Sequence, residues 1–419
     1  MILLICIITL LTRSESVRLN IVHVNDIHAH FEEVNVDLGR CHQNQICYGG
    51  AARMYSKIRE LVDLSPNNTL VLNAGDYYQG TIWYTILKYE SVVALANMVN
   101  YTAYTLGNHD FDDGIQGLVP FMKNTNFPVL ACNIDTSKEP EFATFLKPSV
   151  VVDISGTKVG IIGYLTPRTL NISHTGNLVF NAEITSVKLE SQRLKKQGIG
   201  IIIALGHSGY HLDKYLARDV PLVDLVVGGH SHTFLYTGPN PPDHPEGPYP
   251  TYITQPSGKV VPIVQAGSYS KYLGYLQLDF DTDGDIKKPI KTNGILQAKP
   301  ILLDQNVHKN PKVLEVMEPF VAKLQKYKKV IGYTKVFLSR RSGQECNLGD
   351  LITDAFRNLT NTDLAFINDG GIRSVITKGT ITIEDVIGIY LVDGFATRAL
   401  FFFKITINEK NCLIKNVQN

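Results

Sequence analysis

Five short apolar runs within residues 19–227 are each followed by candidate donor residues, and in four of them a glycine directly precedes the donor. The runs end at Val24, Leu72, Leu106, Leu205 and Val227. The polar residues that follow them are Asp26 and His28; Asp76; Asn108, His109 and Asp110; His207; and His230 with His232. Runs of this kind are typical of buried strands, and the carboxyl ends of such strands meet at one sheet edge. The pattern therefore predicts one crevice that receives side chains from five strands.

Segments with helical spacing alternate with the apolar runs, which indicates an α/β domain. Apolar residues at three- and four-residue spacing predict amphipathic helices over 51–62 and 184–197. The predicted strands cover 19–24, 70–72, 201–205, 222–227 and 260–264. The stretch over 237–256 is rich in Pro and Gly and is predicted to be an irregular surface loop.

The length of 419 residues favours two domains, since single cores stop growing near ~250–300 residues. A helix is predicted from Pro311, and Pro319 is expected to bend or break it. A second α/β stretch follows, with a helix over 348–359 and a strand over 364–367. We therefore expect a domain over 17–305, a connecting helix within 306–330 and a second domain over 331–419.

The nitrogen and oxygen donors at the strand ends suit zinc, manganese or iron better than calcium, which takes oxygen ligands. Seven or eight donors are too many for one tetrahedral ion. Two ions about 3.5–4 Å apart that share a bridging carboxylate would use them all. Histidines outside this pattern are expected to be solvated or structural; they are His42, His174, His211, His244 and His308.

The N-terminal apolar run and the cysteines indicate an oxidising compartment. The segment 1–16 is interpreted as a cleaved signal peptide, with an uncleaved anchor as the alternative. A disulfide between Cys41 and Cys47 is expected, and metal binding by this pair is the weaker interpretation. Glycosylation sequons occur at Asn67, Asn100, Asn171 and Asn358. The predicted location is secreted and extracellular.

Charge and hydropathy exclude several other classes. The formal charge is +1, and 19% of the residues are charged, so a polybasic nucleic-acid surface is not expected. The hydrophobic content of 44% argues against a disordered chain. Neither a further membrane-spanning run nor a lipid-anchor signal is expected.

Several motifs resemble a known family. The blocks over 25–30, 73–76 and 107–110 are similar to the signatures of calcineurin-like metallophosphoesterases. Four further blocks resemble the 5′-nucleotidase/apyrase branch, including its secreted animal members; they lie over 79–81, 228–233, 345–349 and 368–373. The resemblance implies a four-layer α/β/β/α metal domain, a linker helix and a C-terminal α/β domain that binds the nucleotide.

The resemblance also implies roles for individual residues. One metal ion would be held by Asp26, His28 and His232, and the other by Asn108, His207 and His230, with Asp76 bridging both. Zinc is the first expectation for both ions, and manganese, magnesium and calcium are the alternatives. His109 and Asp112 would form the catalytic dyad, and Asp110 is the alternative partner for His109.

The second domain matches the family less well. Asn368 and Arg373 are at positions that would contact the nucleotide, whereas Arg340 or Arg341 would substitute for a further family arginine, or neither would. The first aromatic ring of the family's base clamp should fall near Leu391, where the chain has none; Tyr390 and Phe395 flank the gap. The second ring would lie beyond Asn419, so a shortened, incomplete C-terminal domain is expected.

These expectations combine into a secreted, metal-dependent hydrolase of extracellular AMP, ADP or ATP, of 5′-nucleotidase or apyrase type. Stacking contributes about 1–3 kcal/mol per base, so a missing clamp would weaken nucleotide binding. Two alternatives therefore remain at this point: a less specific phosphoesterase, and a secreted protein that binds nucleotides or a receptor without turnover. The sequence does not determine the oligomeric state.

Overall fold

A computed structural model gives the fold of residues 17–42, 44–280, 298–340 and 343–389. The predicted signal segment, Arg341 and everything from Tyr390 onward lie outside these described residues. The chain divides into two units, Met1–Lys328 and Lys329–Asn419. Within the described residues, no helix is long and apolar enough to cross a membrane.

Two large sheets make up most of the first unit. The described strands of this unit are β1 Val17–Val24, β2 Thr69–Asn73, β3 Ala103–Thr105, β4 Val129–Leu130, β5 Ile134–Asp135, β6 Leu146–Lys147, β7 Ser149–Ile154, β8 Thr157–Leu165, β9 Val179–Phe180, β10 Ile201–His207, β11 Leu225–Val227, β12 Thr251–Thr254, β13 Val260–Val264, β14 Tyr272–Phe280 and β15 Ala298–Leu302. One sheet has the order β15-β14-β1-β2-β3-β4-β6, and the other has the order β12-β13-β11-β10-β8-β7. The central strands of both sheets are parallel, while β14 and β12 pair antiparallel with their neighbours.

Helices cover the outer faces of both sheets. The helices of the first unit are α1 Ala51–Leu64, α2 Ile82–Val99, α3 Gly114–Asn124, α4 Pro140–Phe145, α5 Thr169–Ile172, α6 Glu183–Lys196, α7 Tyr210–Asp219 and α8 Pro311–Leu324. The alternation of side chains along β10 shows the layers: Ile201 and Ile203 join the core between the sheets, while Ile202 and Ala204 pack with α6 and α7. The four-layer α/β/β/α expectation is confirmed.

One local prediction was wrong and two were wrong in part. The loop over 237–256 contains β12, which is an edge strand and so tolerates the flanking prolines. Helix α8 continues through Pro319, so the expected break is absent; Met317 and Leu324 on either side of it are buried, and the helix packs against α1 and α2. The run over 364–367 has one isolated bridge residue, Leu364, and forms no strand in the described part of the chain.

Other predictions agree with the structure. The predicted helices over 51–62 and 184–197 correspond to α1 and α6. The strand predicted over 222–227 is present but begins at Leu225. Cys41 and Cys47 form the expected disulfide, and it closes the loop that follows β1.

The second unit has its own small core. Its described elements are β16 Val330–Thr334, α9 Asn347–Thr360, β17 Gly379–Thr382 and α10 Ile383–Gly388, and β16 pairs antiparallel with β17. Leu348 and Ile352 of α9 pack with Leu338, Ile372 and Ile376. Helix α9 corresponds to the helix predicted over 348–359.

Candidate active site

The five strand ends converge, but they belong to two sheets rather than one. Strands β1, β2 and β3 of the first sheet lead to Asp26 and His28, to Asp76, and to Asn108. Strands β10 and β11 of the second sheet end at His207 and lead to His230. The parallel strands of both sheets direct their carboxyl ends to the same side of the molecule, so the side chains meet where the sheets pack together.

Asp26, His28 and His232 form the first group of possible metal ligands. Their ligand atoms all lie within 4.8 Å of one another. Nε2 of His232 is 3.0 Å from Nε2 of His28 and 3.3 Å from Oδ1 of Asp26. Asp26 and His28 are fully buried, whereas the His232 side chain is 29% exposed, so this group opens toward solvent at His232.

Asp76, His207 and His230 form the second group, again with ligand atoms within 4.8 Å of one another. Oδ2 of Asp76 lies 2.9 Å from Nε2 of His207 and 3.6 Å from Nε2 of His28, which belongs to the first group. Asp76 therefore lies between the two groups. Gly107 is required here, because a Cβ at that position would overlap the Asp76 carboxylate.

Hydrogen bonds fix the orientation of two histidine rings. Nδ1 of His28 is 2.8 Å from the carbonyl oxygen of Gln79, and Nδ1 of His207 is 2.6 Å from that of Ala74. Since a carbonyl can only accept, each Nδ1 carries a proton, and each Nε2 is directed into the cluster. A protein carbonyl or carboxylate behind each imidazole is the arrangement found around metal-binding histidines.

A buried oxygen without a partner and the charges of this cluster fit a cation. Asn108 lies between Gly107 and His109, whose backbones adjoin Asp76, and its Oδ1 is buried with no hydrogen-bond partner among the described residues. Burial alone would lower the pKa of His207, but the carboxylates of Asp76 and Asp26 raise it to about 10. Burial alone would raise the pKa of Asp76, but the neighbouring His207 and His109 hold it well below its ordinary value. The donor set thus favours positive charge between these side chains, and it fits divalent metal ions.

Five of the predicted ligands have left-handed backbone conformations, which residues other than glycine seldom adopt. Their φ angles are 51° at Asp26, 49° at His28, 55° at Asp76, 77° at His230 and 54° at His232. Backbone hydrogen bonds hold these turns: the Asp26 amide donates to the Gly75 carbonyl, and the His28 amide donates to the Asp76 carbonyl. Strain of this kind is concentrated at functional sites.

His109 and Asp112 form a hydrogen-bonded pair beside the cluster. Nδ1 of His109 lies 2.6 Å from Oδ2 of Asp112, and the ring centroids of His109 and His28 are 5.2 Å apart. The backbone amide of His109 donates to Oδ1 of Asp76 at 2.8 Å. The pair is therefore tied to the carboxylate between the two ligand groups.

Asp110, the alternative partner for His109, has a different environment. Its carboxylate accepts hydrogen bonds from the Tyr104 hydroxyl and from the amides of Gly107, Tyr77 and Tyr78. Burial raises the pKa of Asp110 to about 7. Asp110 thus holds together the turns that follow β2 and β3, and Asp112 is the residue that contacts the His109 ring.

The residues predicted to bind substrate lie in the second unit. Asn368 is exposed and precedes a single 3-10 turn, and Arg373 follows it, with Nη1 donating to the Gly370 carbonyl. Nε of Arg340 lies 3.2 Å from Oδ1 of Asp369, so this arginine is already engaged with an acid of the same segment. Arg341 lies outside the described residues.

Several residues that support the site were missed by the sequence analysis. Asn25 bridges Asp26 and the Gly267 carbonyl, and the Ser173 hydroxyl donates to Oδ1 of Asp112 at 2.8 Å. The Tyr269 ring packs edge-on against His28 and His232. Asn25 adjoins a predicted ligand, which was a usable signal, whereas Ser173 and Tyr269 lie in segments with no local pattern.

Two family profiles match the chain. The profile described as calcineurin-like phosphoesterase matches residues 19–234. The profile described as 5′-nucleotidase, C-terminal domain matches residues 330–405. The first match contains all seven predicted metal ligands and the His109 and Asp112 pair, and the second contains Asn368 and Arg373.

Comparisons over most of the chain also match 5′-nucleotidases. A 5′-nucleotidase of Homo sapiens is 41% identical over 401 residues, which is 90% of this chain and 68% of the relative. A 5′-nucleotidase of Diplobatis ommata is 40% identical over 402 residues, again 90% of this chain and 68% of the relative. The chain thus spans about two thirds of the length of these relatives. The crystal structure of a 5′-nucleotidase precursor from Thermus thermophilus is 34% identical, with a TM-score of 0.78, and the match covers 89% of this chain and 73% of that one.

Proposed function

The chain belongs to the 5′-nucleotidase family of metal-dependent phosphoric ester hydrolases, and on that premise we propose that it is a secreted enzyme that releases phosphate from extracellular AMP, ADP or ATP. The observation that carries the proposal is the pair of adjoining groups of possible ligands, with Oδ2 of Asp76 2.9 Å from Nε2 of His207 in one group and 3.6 Å from Nε2 of His28 in the other. Such a donor set has little use other than to hold cations.

In this proposal each group holds one divalent ion, zinc in the first place. Asp26, His28 and His232 would bind one ion; Asn108, His207 and His230 would bind the other; and Asp76 would bridge the two. When bound, two such ions supply Lewis acidity and an activated water for in-line attack on phosphorus. The hydrogen bonds from Nδ1 of His28 and His207 hold both rings with Nε2 directed into the cluster, where it would bind an ion in place of a proton.

The His109 and Asp112 pair would stabilise the transferring phosphoryl group. Nδ1–H of His109 donates to Asp112, which sets the ring orientation. The opposite ring nitrogen, Nε2, would then donate to a phosphoryl oxygen on which negative charge increases in the transition state. Ser173 donates to the other oxygen of Asp112 and keeps that carboxylate in place.

Asn368 and Arg373 would contribute nucleotide binding from the second unit. A guanidinium group is well shaped for phosphate or carboxylate oxygens, and the exposed amide of Asn368 offers both a donor and an acceptor. The role of Arg341 as a further phosphate contact remains a proposal based on the sequence alone.

We expect the purified protein to release phosphate from AMP only when divalent metal is present. Removal of metal with a chelator should abolish turnover, and added zinc or manganese should restore it. Phosphate release from AMP, ADP and ATP beside a plain aryl phosphate measures substrate preference. We expect kcat/KM for the best nucleotide to exceed that for the aryl phosphate by at least about tenfold. This ratio corresponds to ~1.4 kcal/mol of nucleoside recognition.

The other outcomes of this assay identify the alternatives. Equal efficiency on nucleotides and the aryl phosphate would indicate a less specific phosphoesterase. No turnover of any substrate with each metal, together with tight nucleotide binding by calorimetry, would indicate a binding protein and refute the proposed enzyme.

Secretion is supported by the Cys41–Cys47 disulfide, since such bonds persist in oxidising compartments. All four sequon asparagines are exposed: Asn67, Asn100, Asn171 and Asn358. We expect the protein expressed in animal cells to appear in the medium and to lose mass on treatment with an N-glycosidase. A variant with all four asparagines changed to glutamine is the control. Retention of an unglycosylated protein inside the cells would contradict secretion.

A further inference from the structure

One buried side chain contacts alternate residues of the loop that carries two predicted ligands. This segment, residues 228–233, follows β11 and is called the ligand loop here; it contains His230 and His232. Gln265 follows β13, is fully buried and lies against the ligand loop. The ligand loop has no regular secondary structure of its own, so the conformation of its two histidines depends on contacts of this kind.

The Gln265 amide contacts residues 229, 231 and 233. Its Nε2 donates to the Gly229 carbonyl at 3.3 Å. Its Oε1 accepts from the Ser231 hydroxyl at 3.2 Å and from the Thr233 amide at 3.3 Å. The residues between these contacts are His230 and His232, whose left-handed φ angles of 77° and 54° direct them into the metal-ligand groups.

Asp213 fixes the orientation of this amide. Its Oδ2 accepts from Nε2 of Gln265 at 2.8 Å, and its Oδ1 accepts from the Tyr164 hydroxyl at 2.7 Å. Asp213 and Tyr164 are both fully buried. Asp213 and the Gly229 carbonyl can only accept and the Thr233 amide can only donate, so a flipped amide would lose these three contacts.

We propose that Gln265 is a positioning residue that sets the geometry of both metal sites at once. His230 belongs to the group with Asp76 and His207, and His232 belongs to the group with Asp26 and His28. A single amide therefore controls one nitrogen ligand in each group. This inference rests on the proposed two-metal function and adds to it a residue that contacts neither metal nor substrate.

The test compares Gln265 with a second buried glutamine in a similar setting. Gln255 is also buried, and its Nε2 donates to the carbonyls of Ala217 and Val220 at 2.8 and 2.9 Å, away from the ligand loop. Gln265→Met and Gln255→Met each remove a buried amide and keep the length of the side chain. Gln265→Asn keeps the amide but shortens its reach, and it replaces Gln265→Met as the test variant if that protein does not fold.

The measurement is calorimetric titration of the metal-depleted full chain with zinc or manganese. Removal of a residue that orients metal ligands weakens metal binding about 10–100-fold. We therefore expect the Gln265 variants to bind metal this much more weakly at both binding steps. Gln255→Met should bind both ions with dissociation constants within about twofold of the wild-type values, against the 10–100-fold change expected for Gln265. At saturating metal, the kcat of the Gln265 variants should recover toward the wild-type value.

The possible outcomes are distinct. Unchanged metal affinity in the Gln265 variants would overturn the inference, and so would an equal loss in Gln255→Met, since that would reflect general destabilisation. Loss at one binding step alone would overturn the claim that Gln265 sets both sites. If the wild-type chain itself bound no metal ion, the proposed function would fail, and that failure is separate from a failure of the Gln265 inference.

Discussion

Asp76→Asn is expected to lower kcat/KM for AMP by at least about a thousandfold. The substituted amide would still accept the hydrogen bond that the His109 amide gives to Oδ1, but the negative charge between the two ligand groups would be lost. Metal ions in such sites supply several kcal/mol of transition-state stabilisation, and each 1.4 kcal/mol corresponds to a factor of about ten in rate. Phosphate release and zinc titration on the same preparations measure both effects.

Asp224→Asn provides the matched control. Asp224 is also fully buried and accepts a hydrogen bond from the Ile202 amide, but it lies at the amino ends of the strands, opposite the candidate site. It pairs with Lys259, so its substitution should lower thermal stability. The specific activity of the folded protein should stay unchanged. Comparable activity in Asp76→Asn and wild type would contradict the bridging role.

His109→Ala is expected to lower kcat for AMP by about 10²–10³-fold, the range found when one donor to a developing negative charge is removed. In contrast to Asp76→Asn, this variant should bind both metal ions with wild-type affinity, because His109 is not one of the predicted ligands. Steady-state kinetics together with metal titration therefore separate the dyad from the metal site.

Two further variants support the interpretation of His109. Asp112→Asn should produce a smaller loss of kcat, since the imidazole remains but loses its charged partner. His211→Ala is the histidine control, because His211 is exposed and packs against Tyr215 of α7. A kcat for His109→Ala within about threefold of wild type would rule out the proposed role; this threshold of about 0.7 kcal/mol is small against the expected loss.

The positions of the candidate ligands could be predicted from sequence because they follow a local rule. A buried strand ends and a donor residue follows within a few residues, directly after a glycine at Asp76, Asn108, His207 and His230, so each contribution is visible in the local sequence. The structure brings Asp26, His28 and His232 together in one group and Asp76, His207 and His230 in another. The division of the strands between two sheets is not local, and it came from the family resemblance instead.

Positioning residues could not be found in the same way. Gln265 lies far along the chain from His232, and Ser173 is distant in sequence from Asp112, so neither contact leaves a pattern in the chain. The error over 364–367 has a related cause: a short apolar run shows burial but carries no information about a pairing partner. Pro319 was judged by local propensity, while the packing of α8 on its neighbours determined the result.

The left-handed turns at Asp26, His28, Asp76, His230 and His232 bear on attempts to make the protein more heat-resistant. Each such turn costs on the order of 1 kcal/mol or more in the folded state. The first unit is therefore less stable than its packing alone would allow. The loss of folding free energy is concentrated at the turns where the chemistry is proposed to occur. Glycine at any of these positions would relax the backbone but delete a ligand, so selection for thermal tolerance alone would favour inactive variants. Stabilising changes are better sought in the helical layers and on the surface, away from the turns that follow the strands.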